Sequence, residues 1–310
     1  MTEQDILKKI FRLLPGTDGG EIAVPPGDDC AAIRQADGLL LLAVDQLIGG
    51  CHYTETGDQA PTPWQIGRKL LARNLSDIAA MGGIPRFCLV ASSIRDEHNE
   101  RWLETFMRGI SELGQEFGVD VIGGDLGRTQ GEDIHSLTIV GRMSEEYICR
   151  RSGATAGDRI FVTGCLGDAV STGHHLNFSP RCKEGQWLAE SKGVTAMIDI
   201  SDGLSIDLER ICRSSTVDAW LDAGALPLRN EDTTLKSALQ EGEDYELLFA
   251  VSPSCAQTIR SEWPFADVPV TEIGVFRQTA SPEAPTVHFC GEQEDTSDEY
   301  IRGWDHFRNN

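Results

Sequence analysis

The chain has 310 residues, with 27 Lys and Arg against 49 Asp and Glu, a formal net charge of −22. That surplus of acid argues against nucleic acid as a partner, because a phosphate backbone selects for Lys and Arg. No apolar run approaches the roughly 18 residues a membrane span needs, so no membrane partner is expected.

Forty per cent hydrophobic residues and frequent glycine fit an α/β or α+β protein, at a length that suits two domains. The N-terminus reads as a polar helix start rather than a signal peptide, so a cytoplasmic protein is expected. The nine cysteines contain no C-x-x-C pair and the seven histidines no H-x-x-x-H. Both patterns point away from zinc and towards buried, reduced thiols.

In chain order, residues 4–14 have the spacing of a short amphipathic helix, stopped by Pro15-Gly16. Pro25-Pro26-Gly27-Asp28-Asp29 leads into a hairpin, Cys30–Ile33 and Leu39–Val44, turning at Ala36-Asp37-Gly38 and closed by Asp45. Gly49-Gly50-Cys51-His52-Tyr53 is a segment able to approach a ligand. A helix over about 62–82 carries Ile66, Leu70, Leu71, Leu75 and Ile78 on one stripe, with Asn74 and Asp77 sharing a face. Glycines end it before Pro85. A strand at Phe87–Ser92, a helix over 97–117 and a strand ending in Gly123-Gly124-Asp125 follow, then a strand at His135–Val140. The polar, glycine-rich stretch at 145–158 divides the chain into domains 1–148 and 149–310. Beyond it come a strand at Arg159–Thr163, a partly helical region over 170–195, and a loop from Asp199 to Gly203 that opens a helix at Leu204–Arg213. Short strands at Trp220–Leu221 and Tyr245–Val251 complete the pattern, before a tail containing Ile301–Phe307.

One grammar recurs: an apolar run delivers an aspartate, with glycine beside several of the seven acids. Asp28, Asp29, Asp45, Asp77, Asp125, Asp199 and Asp202 form the candidate metal set. Any one of them alone is equally a cap or turn residue. Together, placed beside glycines and at strand ends, they suggest carboxylates gathered at one place. Such crowding is tolerable only with protons or bridging cations, and Mg²⁺ is the hard cation that accompanies phosphates. No Walker loop and no G-x-G-x-x-G fingerprint is present, so a nucleotide would bind by another device. The start of the Leu204 helix is expected to offer bare N–H groups to a phosphate.

Six blocks occur in a telling order. They are Gly27-Asp28-Asp29-Cys30-Ala31, Asn74-Leu75-Ser76-Asp77-Ile78-Ala79-Ala80-Met81-Gly82, Gly123-Gly124-Asp125, Arg151-Ser152-Gly153-Ala154, Ile198-Asp199-Ile200-Ser201-Asp202-Gly203-Leu204 and Gly242-Glu243-Asp244-Tyr245-Glu246-Leu247-Leu248-Phe249. Together they resemble the thiamine-monophosphate kinase family of the PurM-like (aminoimidazole-ribonucleotide-synthetase-like) superfamily, from about residue 20 to the end. The resemblance implies a two-domain α/β (α+β) PurM-like fold: an N-terminal α/β domain that binds ATP and Mg²⁺ and pairs in a homodimer, and a C-terminal α/β domain. It implies a kinase that phosphorylates thiamine monophosphate to thiamine diphosphate with ATP, by in-line transfer at a site holding several Mg²⁺ ions. By position it implies Asp29, Val44 (through its backbone), Asp45, Asp77, Asp125, Asp199 and Asp202 as metal ligands. Gly124, Asp125, Arg151 and Ser201 match ATP contacts, with Asp125, Asp202 and Arg151 in catalytic roles. His52, Glu243 and Trp304 match contacts to thiamine monophosphate.

Three departures stand in this chain. Ala43-Val44 replace the hydroxyl residues usual before the aspartate at 45. Leu126-Gly127-Arg128 stands where Thr-Thr-Arg is usual, and the segment from 167 to 196 is short. They bear on the number of metal ions and on catalytic efficiency. The competing readings are another ATP-using member of the superfamily and a catalytically impaired, cation-binding homologue. Selenophosphate synthetase typically needs a reactive residue near the N-terminus, and no cysteine precedes Cys30. The hydrogenase-maturation dehydratase typically ends in cysteine, and this chain ends Arg308-Asn309-Asn310.

Overall fold

Alternating apolar residues build a first sheet from β1 (Ile22–Val24), β2 (Ala31–Gln35), β3 (Gly38–Ile48), β4 (Ile84–Arg95), β5 (Asp120–Thr129) and β6 (Ile134–Met143). The structure is a computed structural model that describes residues 3–11, 13, 20–55, 57 and 60–290. Strand order is β1-β2-β3-β6-β4-β5, antiparallel except for β4 and β5. The expected β2–β3 hairpin is present, with Gln35 opposite Gly38. Gly38 is required there: its φ is 134°, and a Cβ would lie 2.4 Å from the Met143 carbonyl oxygen. The expectation that Asp45 closes β3 is corrected. The strand pairs with β6 without interruption from Leu39 to Ile48, because Leu47 is buried as fully as Leu41 and extends the apolar alternation past the carboxylate. Asp125 likewise sits inside β5 and not at its end.

Two helices cover one face of this sheet. The α2 helix (Pro63–Ala80) begins at a capping box: Gln65 N donates to Thr62 Oγ1, and Thr62 N donates to Gln65 Oε1. The α3 helix (Glu100–Phe117) is capped by Asn99 and ends at left-handed Gly118. They cross where Gly67 and Gly109 face each other's backbone. A Cβ at Gly109 would lie 2.0 Å from the Trp64 carbonyl oxygen. Gly109→Ala must therefore force the helices apart, and we expect it to cost about 2–3 kcal/mol in urea unfolding. An unchanged unfolding midpoint would show that the crossing gives way freely.

The second sheet contains β7 (Arg159–Thr163), β8 (Val194–Asp199), β9 (Val217–Asp222), β10 (Leu247–Val251), β11 (Val270–Gln278) and β12 (Val287–Cys290), in the order β12-β9-β11-β7-β10-β8. Its neighbours are antiparallel except β9 and β12. The region over 170–195, expected to be partly helical, contains α4 (His174–Asn177) and α5 (Cys182–Glu190). The helices α6 (Leu204–Ser215), α7 (Leu235–Gln240) and α8 (Ala256–Glu262) complete this half, and a short α1 (Glu3–Phe11) precedes the first sheet.

The α2 helix holds the halves together. It touches α3, α5, β3, β6 and β8, and one apolar cluster runs from Leu41 and Leu75 through to Phe161 and Phe249. Gly185 makes the α2–α5 approach possible, since a Cβ there would sit 2.2 Å from the Ala79 carbonyl oxygen. Among the described residues no helix is long and apolar enough to cross a membrane. Trp304 and the rest of Ile301–Phe307 lie outside the described residues.

Candidate active site

Two residues of α2 bind two other elements, and a third beside them faces the space between. Asn74 is fully buried; its Oδ1 accepts from Asp45 N at 3.2 Å and its Nδ2 donates to the Leu70 carbonyl at 2.8 Å. Ser76 Oγ donates to Asp199 Oδ2 at 2.6 Å, tying the helix to the end of β8. Asp77 then faces the space these two contacts define. Oxygens of Asp29, Asp77 and Asp199 lie within 4.8 Å of one another. Asp28, Asp45 and Asp202 join them on the walls of one open cleft of ≈720 Å³, as do Val44, Arg151 and Ser201. Six of the seven candidate acids therefore converge.

Burial and mutual repulsion set the electrostatics. Desolvation, then Asp45, Asp199 and Asp29, push the Asp77 carboxyl well above its usual range. Desolvation and Asp29 do the same to Asp199. Asp28 is raised to about 6, chiefly by burial and then by Asp29, against Arg151 and two backbone N–H groups. Arg151 is the main counter-charge: its guanidinium donates to Asp29 Oδ1 and the Gly27 carbonyl, and its backbone N–H to Asp28. The other oxygen, Asp29 Oδ2, is buried with no hydrogen-bond partner. A dry set of hard carboxylate oxygens, one of them orphaned, fits a divalent cation such as Mg²⁺.

The loop after β8 departs from expectation in one respect. Ser201 N and Asp202 N do not stand bare; both donate to Asp207 Oδ2, at 3.0 and 3.1 Å. Asp207, a carboxylate of α6, reaches back to the loop before its own helix, and Arg210 bridges it to Asp202. The amides just before the helix are thus not bare, being taken by a carboxylate of the same chain.

A second cavity of ≈480 Å³ adjoins the cleft and is lined by His52, Tyr53, His175, Glu243 and Tyr245 among others. Arg73, Ser201 and Asp202 line both spaces. Glu243 and Tyr245 adopt left-handed backbone, φ 57° and 51°, held by N–H bonds to the Ser201 and Ile200 carbonyls. The acids of this block have separate tasks. Asp244 accepts from Gly167 N and Arg229, and Glu246 from Arg181 and Thr163, so both brace the loop. Glu243 faces the cavity. Its carboxylate takes both oxygens' bonds from Lys69 Nζ, at 2.9 and 2.7 Å, and lies 2.9 Å from His175 Nδ1. Burial would raise its pKa, but Lys69, His175 and Arg73 outweigh burial and hold it at about 2. His52 accepts from Ile48 N through Nδ1 at 2.9 Å, which directs the opposite ring edge away from that strand.

Gly124 and Asp125 are not brought to the cleft within one chain. Asp125 pairs with Ala91, Ala91 with Ser136, and Ser136 with Gln46, so Asp125 shares the face of Gln46 and not that of Asp45. Two strands also separate β5 from β3, which is about 14 Å at ordinary strand spacing. Gly124 serves the sheet instead, since a Cβ would meet the Val90 carbonyl oxygen at 1.8 Å. The expected site residue Trp304 lies outside the described residues. Sequence reasoning missed Lys69, Arg73, His175, Asp207 and Arg210. The first two carried a signal: positions 66, 69, 70, 73 and 77 share one helical stripe, so two cations interrupt an apolar face.

Known proteins resemble this chain in sequence and fold. The family "AIR synthase related protein, N-terminal domain" matches residues 27–143. The thiamine-monophosphate kinase of Rhodopirellula baltica is 35% identical over 272 residues, covering 82% of this chain and 83% of its own. The crystal structure of thiamine-monophosphate kinase from Stenotrophomonas maltophilia K279a superposes with a TM-score of 0.73 at 31% identity, over 92% of this chain and 94% of that one. AaThiL complexed with AMPPCP and TMP gives 0.80 at 25% identity, over 99% and 97%.

Proposed function

This chain belongs to the thiamine-monophosphate kinase family, and from that premise and the site's geometry we infer that it phosphorylates thiamine monophosphate to thiamine diphosphate with ATP. The observation that carries the reading is the shared wall. A carboxylate cleft suited to a nucleotide and its cations meets an aromatic, acid-bearing cavity suited to a cationic heteroaromatic substrate, at Arg73, Ser201 and Asp202.

A phosphate monoester is largely dianionic near pH 7, since its second pKa is about 6. One of its oxygens attacks the γ-phosphorus, and the new P–O bond forms as the bond to the β-phosphate bridging oxygen breaks. ADP keeps that electron pair, and no proton has to leave the nucleophile. The protein's task is positioning and charge neutralisation. Glu243 and His52 would hold the thiamine moiety, with Trp304 as a third contact. Asp29, Asp77 and Asp199, aided by Asp45 and Asp202, would hold Mg²⁺, with Val44 at the cleft mouth; the cation supplies neutralisation of phosphate charge. Arg151 and Ser201 would face the nucleotide, and Asp202 and Arg151 would act nearest the transfer.

A homodimer is part of this reading. The outer face of the first sheet exposes Val44 (64%), Leu89 and Phe87, and its edge strand β5 exposes Ile122 (58%) and Leu126 (55%). A self-complementary partner would cover that apolar surface. Val44 stands on this face and also lines the cleft, so a second copy would border the site. That is the route by which Gly124 and Asp125 would contribute. Domains 1–148 and 149–310 are likewise proposed, supported by one sheet ending at Met143 and the next beginning at Arg159. We place the reaction in the cytoplasm, where ATP is available.

The test is direct. Purified protein with ATP, Mg²⁺ and thiamine monophosphate should release ADP and form thiamine diphosphate, and should stop when Mg²⁺ is chelated. A folded protein forming no thiamine diphosphate at any Mg²⁺ concentration would favour the impaired, cation-binding homologue.

A further inference from the structure

We propose that Arg73 grips the phosphate of the acceptor substrate where the two cavities meet, and so selects a phosphorylated substrate over its unphosphorylated parent. The inference rests on the kinase reading above and adds a residue to it.

Arg73 is the one cationic side chain among those that line both spaces; the other two shared residues are Ser201 and Asp202. An acceptor phosphate passing from the cavity towards the cleft must cross this junction between acids. It needs a cation there, and the other nearby cations are already engaged. Lys69 is bound to Glu243 and the His52 carbonyl. Arg151 is held by Asp28, Asp29 and Gly27, though its Nε too makes no hydrogen bond, and Arg210 by Asp202 and Asp207. Arg73 is held more loosely. Its Nη1 donates to the Gln46 carbonyl at 3.2 Å, and its Nε stands 3.4 Å from Asp45 Oδ2. That Nε is buried and makes no hydrogen bond. A buried, unsatisfied guanidinium N–H is costly, and a phosphate oxygen would satisfy it. The planar fork suits two phosphate oxygens, and Asn74 next along α2 fixes the helix against β3. Arg73 would contact non-bridging oxygens only and would exchange no proton.

Calorimetric binding of thiamine monophosphate and of thiamine to the wild-type protein, Arg73→Gln and Arg73→Lys tests this. Arg73→Gln should weaken thiamine monophosphate by at least about 10-fold, the scale of one lost charged hydrogen bond. Thiamine affinity should stay within about twofold, because the ring contacts at His52 and Glu243 remain. Arg73→Lys should recover part of the loss, and retained thiamine binding reports an intact fold in each variant. Equal losses for both ligands, or no loss for either, would overturn the proposal. A wild-type protein that turns over but prefers thiamine to its monophosphate would overturn it as well. Wild-type protein that binds and converts neither ligand overturns the kinase reading itself.

Discussion

Asp77→Asn lowers turnover by about 10²–10³-fold, the cost of removing one preorganised charge contact at a phosphoryl-transfer site, yet leaves the protein at least as stable in EDTA. Both halves follow from the same three side chains. Asp29, Asp77 and Asp199 present oxygens within 4.8 Å of one another, and burial and repulsion already push Asp77 towards its neutral form. Asparagine is close in shape to that neutral form, so substitution removes repulsion and little packing. What it takes away is a ligand. Any cation bound only by the folded state raises the melting temperature by mass action, so the increment that Mg²⁺ adds to the wild-type protein should shrink in the variant. Melting curves with EDTA and with Mg²⁺, beside an ADP-release assay, separate the two effects. A variant that melts lower in EDTA would show Asp77 to be structural, and wild-type turnover would remove it from the site.

Lys69→Met costs about 3–5 kcal/mol, because breaking a buried ion pair from one side strands the other charge. Lys69 has no exposed surface and gives both of Glu243's oxygens a charged donor. The variant should also bind thiamine monophosphate more weakly, since Glu243 then keeps only His175 to orient its carboxylate. The pH dependence has a definite sign. Glu243 titrates in the folded protein at about 2, below the ordinary 4.5. Its contribution is complete above about pH 4.5 and is lost as pH falls from there towards about 2. In Lys69→Met that acid limb should flatten, because its chief cation is gone. Pairing Lys69→Met with Glu243→Gln should recover much of the loss, since neither charge is then left alone. Urea unfolding at pH 7 and at pH 3 measures all of this. Equal acid limbs in wild type and variant would mean that Lys69 does not govern Glu243.

Much of this protein is written locally, and the reason is periodicity. The β2–β3 hairpin, α2, α3, β7 and the loop before α6 declare themselves through spacing, caps and glycine, which act within a few residues. The six convergent aspartates were legible too, because most of them stand beside a glycine or at the end of an apolar run, and those local patterns are visible in the chain. Strands β1, β11 and β12 were not, since β1 and β12 span only three and four residues and β11 mixes apolar with polar residues. Three decisions belong to the assembled fold alone. The antiparallel register between β3 and β6, and the order β6-β4-β5, turn Asp125 to the face opposite Asp45 and leave it beyond a single chain's reach. Asp207 reaches back to the N–H groups of Ser201 and Asp202 and fills a place that the helix start alone would have left open. Packing of α2 between the two sheets then carries Arg73 to the cavities and Lys69 to Glu243, where a sequence shows only two cations on an apolar stripe. Propensity and spacing act along the chain; which face a carboxylate meets, and which charge answers it, is settled only when strands far apart in sequence pair.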